Sequence, residues 1–114
     1  MKVLLVDDET ELVSALAERL SFRGVEADWA DSGDKALRMA AQASYDVAVL
    51  DVKMPRMGGL ELRRKMAEMR PGMRFVFLSG HGSEEDYLEG SAEASSYLIK
   101  PIDIEELLRR IRAE

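Results

Sequence analysis

The sequence predicts an α/β fold built around a parallel β-sheet. Short apolar runs bounded by acidic residues or glycines alternate five times with segments of helical period, a pattern typical of repeated βα units. The chain has 114 residues, 46% of them hydrophobic, which is enough for one domain with one core. We therefore expect a single domain over residues 1–114.

The first half of the chain contains three of the predicted strands. Residues 3–6 form the first strand, and leucines at four-residue spacing then predict a helix over about 10–23. Residues 25–29 alternate apolar and acidic side chains, so they should form a half-exposed edge strand. A second helix is expected over 33–43. Residues 47–50 are apolar throughout, as expected of a central strand that helices cover on both faces.

The second half should contain two strands and three helices. A loop over residues 52–59 holds one proline and two glycines and leads into a helix over about 60–69. Residues 75–78 and 97–99 are the fourth and fifth strands. The fourth predicted helix begins near Ser83, and its glycine and serine content makes it the weakest of the five.

Two helices have more specific predictions. Asp103 and Glu106 have the spacing of a capping box at the start of the last helix, which would place Ile104 on its inward face. In the third helix, Met66 and Met69 fall at helical spacing, so we expect them to fill the core rather than to line a partner groove.

Charge and composition exclude several function classes. The 22 acids outnumber 16 lysines and arginines, giving a net charge of −6, which argues against a nucleic-acid or anionic-membrane surface. The chain has no cysteine, so a disulfide framework and a thiolate metal site are excluded. No apolar stretch reaches the roughly 20 residues that span a bilayer, and the start shows no signal peptide. We expect a cytoplasmic protein.

Charged residues follow three of the predicted strands. Asp7 and Asp8 come after the first strand, Asp51 after the third and Lys100 after the fifth. The carboxyl ends of parallel strands share one edge of a sheet, where α/β folds place their ligands. Clustered carboxylates recruit a cation or raise a pKa, and Mg²⁺ prefers such oxygen ligands. Ser79, after the fourth strand, could donate a hydrogen bond to a phosphoryl oxygen.

Asp51 is the candidate nucleophile of this pocket. It ends the central strand, and a glycine-bearing loop follows it with room for a phosphoryl group. A carboxylate can form an acyl phosphate as a covalent intermediate, and Lys100 offers a compact positive charge to a phosphoryl oxygen.

These motifs together resemble the receiver domain of bacterial two-component response regulators, within the CheY-like superfamily. The resemblance covers essentially the whole chain. It is carried by Asp7-Asp8, by Asp51-Val52-Lys53-Met54-Pro55 with Gly58-Gly59, by Ser79-Gly80, and by Tyr97-Leu98-Ile99-Lys100-Pro101. Any one motif alone would be weak, whereas the four at the ends of four predicted strands are highly specific.

The resemblance implies a fold and a phosphorelay function. The fold would be a doubly wound, flavodoxin-like sheet of five strands in the order 2-1-3-4-5. Asp51 would accept a phosphoryl group from a histidine kinase or a histidine phosphotransfer protein. Asp7, Asp8, Asp51 and the backbone carbonyl of Lys53 would bind Mg²⁺, and Lys100 would contact the phosphoryl group. The protein would catalyse only its own phosphorylation and dephosphorylation.

The resemblance also implies a switch. Ser79 would move toward the phosphoryl group, Tyr97 would rotate inward, and the surface of the fourth and fifth helices and the fifth strand would change. The peptide bond between Lys100 and Pro101 would be cis. A downstream protein or an output domain would be the target, and the protein would be a monomer or a weak homodimer. No output domain is present in these 114 residues.

The sequence departs from the family pattern at a few positions. Ser79 stands where most members have threonine, and it keeps the hydroxyl group. Lys53 and His81 occupy positions that often tune the lifetime of the phosphoryl group, although both are also common loop residues. The spacing from Ser79 to Lys100 is about one residue shorter than in the family, which predicts a short or irregular fourth helix.

Simpler interpretations exist for each motif alone. Asp7-Asp8-Glu9 is by itself typical of a helix N-terminus, and Tyr97 of a packed strand. Two other functions compete: a receiver-like adaptor that works without phosphate, and a phosphatase with an aspartyl nucleophile, similar to the haloacid dehalogenase family. That family places a second Asp two residues after the nucleophile, where this chain has Lys53. The case for flavin binding is weaker still.

Overall fold

The computed structural model describes residues 1–80 and 97–113, together with the backbone of Ser96. The described strands are β1 (Lys2–Val6), β2 (Glu26–Ala30), β3 (Val47–Asp51), β4 (Arg74–Ser79) and β5 (Ser96–Ile99). The described helices are α1 (Thr10–Phe22), α2 (Gly33–Gln42), α3 (Gly59–Met69) and a last helix (Ile104–Arg112). The fourth predicted helix and His81 lie outside the described residues.

All five strands are parallel and lie in the order β2-β1-β3-β4-β5. This order confirms the doubly wound sheet. The register aligns the carboxyl ends of the central strands, since Asp51 pairs with Leu78 and Ser79 pairs with Ile99. The charged residues that follow these strands therefore meet at one edge of the sheet.

The core lies in two layers, one on each face of the sheet. Side chains alternate between the faces along each strand, so Leu4 and Val6 pack in the layer beneath α2 and α3, whereas Val3 and Leu5 pack beneath α1 and the last helix. The five residues of β3 are all buried. The central strand thus lies between two apolar layers, and its last residue is Asp51.

α1 and the strand after it match the sequence prediction closely. The buried side chains of α1 recur at three- and four-residue spacing: Val13, Leu16, Ala17 and Leu20. Gly24 lies just after the helix and has a φ of +82°. Glycine adopts this left-handed conformation without steric cost, which makes it common where a helix ends. Ala27 and Trp29 of β2 are half-buried against the core, as expected of an edge strand.

The predictions for two helices were partly wrong. Asp103 accepts a hydrogen bond from the backbone of Glu105 at 3.3 Å, but the Glu106 carboxylate pairs with Arg109 and Arg110 instead of completing a capping box. The two arginines lie one turn after Glu106 on the same helix, so their guanidinium groups reach its carboxylate. Met66 is fully buried as predicted, whereas Met69 is 39% exposed because it lies at the end of α3.

None of the helices in the described part of the chain combines the length and the apolar character that a membrane span requires.

Candidate phosphoacceptor site

The strand ends bring four of the sequence-predicted residues to one pocket. Asp7 follows β1, Asp51 ends β3 and Lys100 follows β5, while Asp8 lies beside Asp7. One carboxylate oxygen from each of the three aspartates can be chosen so that all lie within 4.8 Å of one another. Asp7 and Asp51 are 0% and 5% exposed, whereas Asp8 is exposed. The pocket therefore has a buried floor and an open side.

Lys100 is the cation of this pocket. Its Nζ lies 2.8 Å from Asp7 Oδ2, 3.0 Å from Glu9 Oε1 and 3.6 Å from Asp51 Oδ2. The two shortest contacts are to Asp7 and Glu9, so the ammonium lies on the β1 side of the pocket. It balances only part of the negative charge around it.

Backbone contacts hold the ends of β1 and β5 in place. Asp7 donates its N–H to the carbonyl of Ala30, and its Oδ1 accepts from the backbone of Glu9 at 2.9 Å. Lys100 donates its N–H to the carbonyl of Ser79 at 2.7 Å, and the Lys100–Pro101 peptide bond is cis. The Asp7 carboxylate and the base of the Lys100 side chain are both fixed by the main chain.

The loop after Asp51 requires its two glycines. A Cβ atom on Gly59 would lie 2.4 Å from the carbonyl oxygen of Asp51, and one on Gly58 would lie 2.9 Å from that of Val52. Gly59 also donates a backbone hydrogen bond to Val52 at 2.9 Å. Because α3 begins at Gly59, this close approach places the start of the helix against the backbone of the candidate phosphoacceptor.

The electrostatics of the pocket oppose ionisation of Asp51. Burial, together with the charge of Asp7, raises the pKa of Asp51 to about 7, although Lys100 acts in the opposite direction. For Lys100, burial lowers the pKa, but the close contacts with the carboxylates of Asp7 and Glu9 and the charge of Asp51 outweigh that effect and raise it. The pocket thus keeps a charged lysine beside an incompletely neutralised group of carboxylates.

The residues of the pocket fit a hard divalent cation. Asp7 Oδ2 is buried and, apart from its ion pair with Lys100, has no aligned hydrogen-bond donor among the described residues. One carboxylate oxygen each from Asp7, Asp8 and Asp51 forms an oxygen-only ligand set of the kind that Mg²⁺ prefers. A second positive charge would also relieve the repulsion that raises the pKa of Asp51.

Residues 3–112 match the family model of the response regulator receiver domain. The chain belongs to this family. Receiver domains act as phosphoacceptors in two-component signalling, generally bind Mg²⁺ at an acidic pocket, and interact with histidine kinases and output domains. The cluster of Asp7, Asp8 and Asp51 at the sheet edge could hold a metal ion.

Response regulators of mycobacteria are among its relatives in sequence. The receiver domain is 40% identical over 114 residues to the response regulator MprA of Mycobacterium leprae, an alignment that covers 99% of this chain and 50% of that protein. It is 39% identical to MprA of Mycobacterium avium, with the same coverage. The chain therefore spans about half the length of these relatives.

Solved structures of receiver domains superimpose on the chain over nearly its whole length. A CheY-like receiver domain from Methanospirillum hungatei is 31% identical with a TM-score of 0.88, covering 97% of this chain and 90% of that one. A response regulator from Burkholderia pseudomallei, determined with a phosphorylated aspartic acid, a calcium ion and citrate, is 26% identical with a TM-score of 0.89. That alignment covers 98% of this chain and 66% of the other.

Three further predicted residues lie on β4, on β5 and just after β3. Ser79 is 2% exposed at the end of β4, and its hydroxyl donates to the carbonyl of Gly80 at 3.2 Å. Tyr97 is buried on β5 and meets Phe77 edge to face, with ring centroids 6.2 Å apart. Lys53 is exposed on the loop after Asp51.

Sequence reasoning missed the role of Glu9 in the pocket. Its carboxylate was assigned only to the start of α1, yet it makes no side-chain capping bond there and contacts Lys100 instead. The available signal was the third acid of the run Asp7-Asp8-Glu9. That run alone does not tell whether the third side chain points toward the helix or toward the strand ends.

Proposed function

We propose that Asp51 of this receiver domain accepts a phosphoryl group from a phosphohistidine of a histidine kinase or a histidine phosphotransfer protein. The observation that carries the proposal is the position of Asp51. It is a nearly buried carboxylate at the end of the central strand, with Lys100 on one side and Asp7 and Asp8 within metal-ligand distance.

The transfer exchanges one bond to phosphorus for another. A carboxylate oxygen of Asp51 bonds to phosphorus while the bond from phosphorus to the histidine nitrogen breaks, and the departing imidazole keeps that electron pair. Lys100 Nζ, 3.6 Å from Asp51 Oδ2, is within reach of a phosphoryl oxygen after a small movement. When bound, Mg²⁺ would supply further positive charge to the phosphoryl oxygens.

Asp7, Asp8 and Asp51 are the side chains that would hold the metal ion, with the backbone carbonyl of Lys53 as a further ligand. Backbone contacts at the end of β1 and the start of α1 fix the position of Asp7. The nucleophile must be ionised, and a pKa of about 7 leaves Asp51 partly protonated at neutral pH. Positive charge in the pocket favours the reactive carboxylate.

Phosphorylation would change the charge beside Ser79. A phosphoryl group adds up to about two negative charges and three strong acceptor oxygens. The Ser79 hydroxyl now donates to Gly80 and would turn to a phosphoryl oxygen. Tyr97, already buried against Phe77, is the candidate second element of the switch. The resulting population shift would alter the surface around β5 and the last helix, where a downstream protein or output domain would bind.

Lys53 is a candidate for tuning the lifetime of the phosphoryl group. It follows Asp51 by two residues and is exposed, and a positive side chain so near the acceptor could pair with the acyl phosphate or shield it from water. His81, the other candidate, lies outside the described residues.

The experiment that tests this function is intact-protein mass spectrometry after incubation with acetyl phosphate and Mg²⁺. We expect one added phosphoryl group on the wild-type protein, and none on Asp51→Asn or in the presence of a chelator. If nothing is added, beryllofluoride binding with Mg²⁺ distinguishes a short-lived phosphate from a module that works without one. Equal labelling of Asp51→Asn would rule out Asp51 as the acceptor.

A further inference from the structure

Glu9 is the acidic residue of the pocket that stands outside the candidate metal cluster. The cluster consists of Asp7, Asp8 and Asp51, whereas Glu9 Oε1 contacts Lys100 Nζ at 3.0 Å. Glu9 is the N-cap residue of α1, but its side chain makes no capping hydrogen bond. Its backbone N–H donates to Asp7 Oδ1. The backbone of Glu9 is thus tied to Asp7, while its carboxylate pairs with the lysine.

Lys100 contacts a carboxylate oxygen of Asp7, a residue that a divalent cation would bind. Its Nζ lies 2.8 Å from Asp7 Oδ2, which is the oxygen without an aligned hydrogen-bond donor in the described parts of the chain. A cation that binds Asp7 through this oxygen would compete with Lys100 for it. The Lys100 side chain is only 17% exposed, and separating a largely buried ammonium from its partner is unfavourable unless another partner remains.

Glu9 is placed to be that remaining partner. Its side chain is 63% exposed, so it can keep its ion pair with Lys100 while water completes the hydration of both groups. Glu9 is also the nearer partner, since Lys100 Nζ lies 3.0 Å from Glu9 Oε1 and 3.6 Å from Asp51 Oδ2.

We propose that Glu9 is a positioning residue for Lys100, which holds the ammonium at the rim of the pocket when a divalent cation takes over Asp7, and thereby raises the affinity of the site for Mg²⁺. This inference rests on the proposed metal-dependent function and adds a residue to it. Glu9 acts through Lys100 and touches neither the metal ion nor the phosphoryl group.

Mg²⁺ affinity of the unphosphorylated protein, measured by isothermal titration calorimetry, tests the role of Glu9 without any phosphoryl transfer. Glu9→Gln removes the charge and keeps the size of the side chain. Glu11→Gln is the matched control, because it removes the same charge from the first turn of α1, where Glu11 forms no ion pair with another described residue. Both substitutions are then repeated in a Lys100→Gln background, and far-UV circular dichroism checks that each variant is folded.

We expect Glu9→Gln to raise the dissociation constant for Mg²⁺ by about two- to fivefold, the range expected for a partly exposed ion pair. Glu11→Gln should raise it less. In the Lys100→Gln background the effect of Glu9→Gln should shrink to that of Glu11→Gln, because the two residues act as one unit.

Two results would overturn this role of Glu9. One is a Glu9→Gln effect no larger than that of Glu11→Gln. The other is a Glu9→Gln effect of the same size with and without Lys100, which would indicate a general effect of charge. If the wild-type protein bound no Mg²⁺, the metal-dependent function would fail together with this inference. If it bound Mg²⁺ but Glu9→Gln and Glu11→Gln changed the dissociation constant equally, only the role of Glu9 would be overturned.

Discussion

Replacing Asp51 by asparagine should stabilise the folded protein at alkaline pH. In the folded state burial and the charge of Asp7 raise the pKa of Asp51 from 3.8 to about 7. That difference of about 3 corresponds to roughly 4 kcal/mol of unfavourable free energy for the charged form, at about 1.4 kcal/mol for each pH unit. The side chain is only 7% exposed, so solvent screening removes little of it. Asparagine has nearly the same shape and carries no charge.

The effect should depend on pH in a defined direction. Between pH 4 and pH 7 the folded state binds a proton at Asp51 that the unfolded state has released, so the wild-type protein gains stability as the pH falls through that window. The amide of the Asp51→Asn variant does not titrate in this window, so the variant does not show this gain. We therefore expect the variant to exceed the wild type by about 2–4 kcal/mol at pH 8, and by much less at pH 5.

Urea unfolding in the presence of a chelator measures this difference. The free energies of unfolding are compared at pH 8 and pH 5, and the slopes with urea should agree between the proteins. Glu11→Gln serves as the control for losing one exposed negative charge. A variant no more stable than the wild type at pH 8, or a gain of equal size at both pH values, would refute the account of the pocket's electrostatics.

Three further predictions concern the metal, the loop after Asp51 and the edge of the sheet. Mg²⁺ at about 100 times its dissociation constant should stabilise the wild-type protein by about 2.7 kcal/mol, and thermal unfolding should show a much smaller effect for Asp51→Asn. Gly59→Ala should lower the free energy of unfolding by about 2 kcal/mol or more, because its Cβ would lie 2.4 Å from a backbone oxygen, whereas Gly72→Ala, with open space around it, should change it little. Tyr45→Phe removes a 2.7 Å hydrogen bond to Asp28 and should cost about 1 kcal/mol in the same urea assay; an unchanged value would mean that water replaces the bond.

Periodicity and the chemistry of strand ends were sufficient to predict most of the fold. The apolar run that became β3 is buried on both faces as its composition requires. The charges at the ends of β1, β3 and β5 lie close together because parallel strands end at the same edge. These features follow from local sequence together with a general property of sheets.

Side-chain directions at helix ends were less predictable. Glu9 and Glu106 both lie at positions typical of helix capping, yet the carboxylate of each pairs with a lysine or with arginines instead. The choice between a backbone N–H and a lysine or arginine depends on groups that the fold brings near. For Glu9, that group is Lys100, 91 residues away in the chain. Local sequence alone contains no such information.

The central claim is that Asp51 is the phosphoacceptor, and site-resolved mass spectrometry tests it most directly. The protein is phosphorylated with acetyl phosphate and Mg²⁺, digested under acidic conditions, and fragmented to locate the added group. We predict one phosphoryl group on Asp51 and none on Asp7 or Asp8. A phosphoryl group on any other residue, with Asp51 unmodified, would contradict the account.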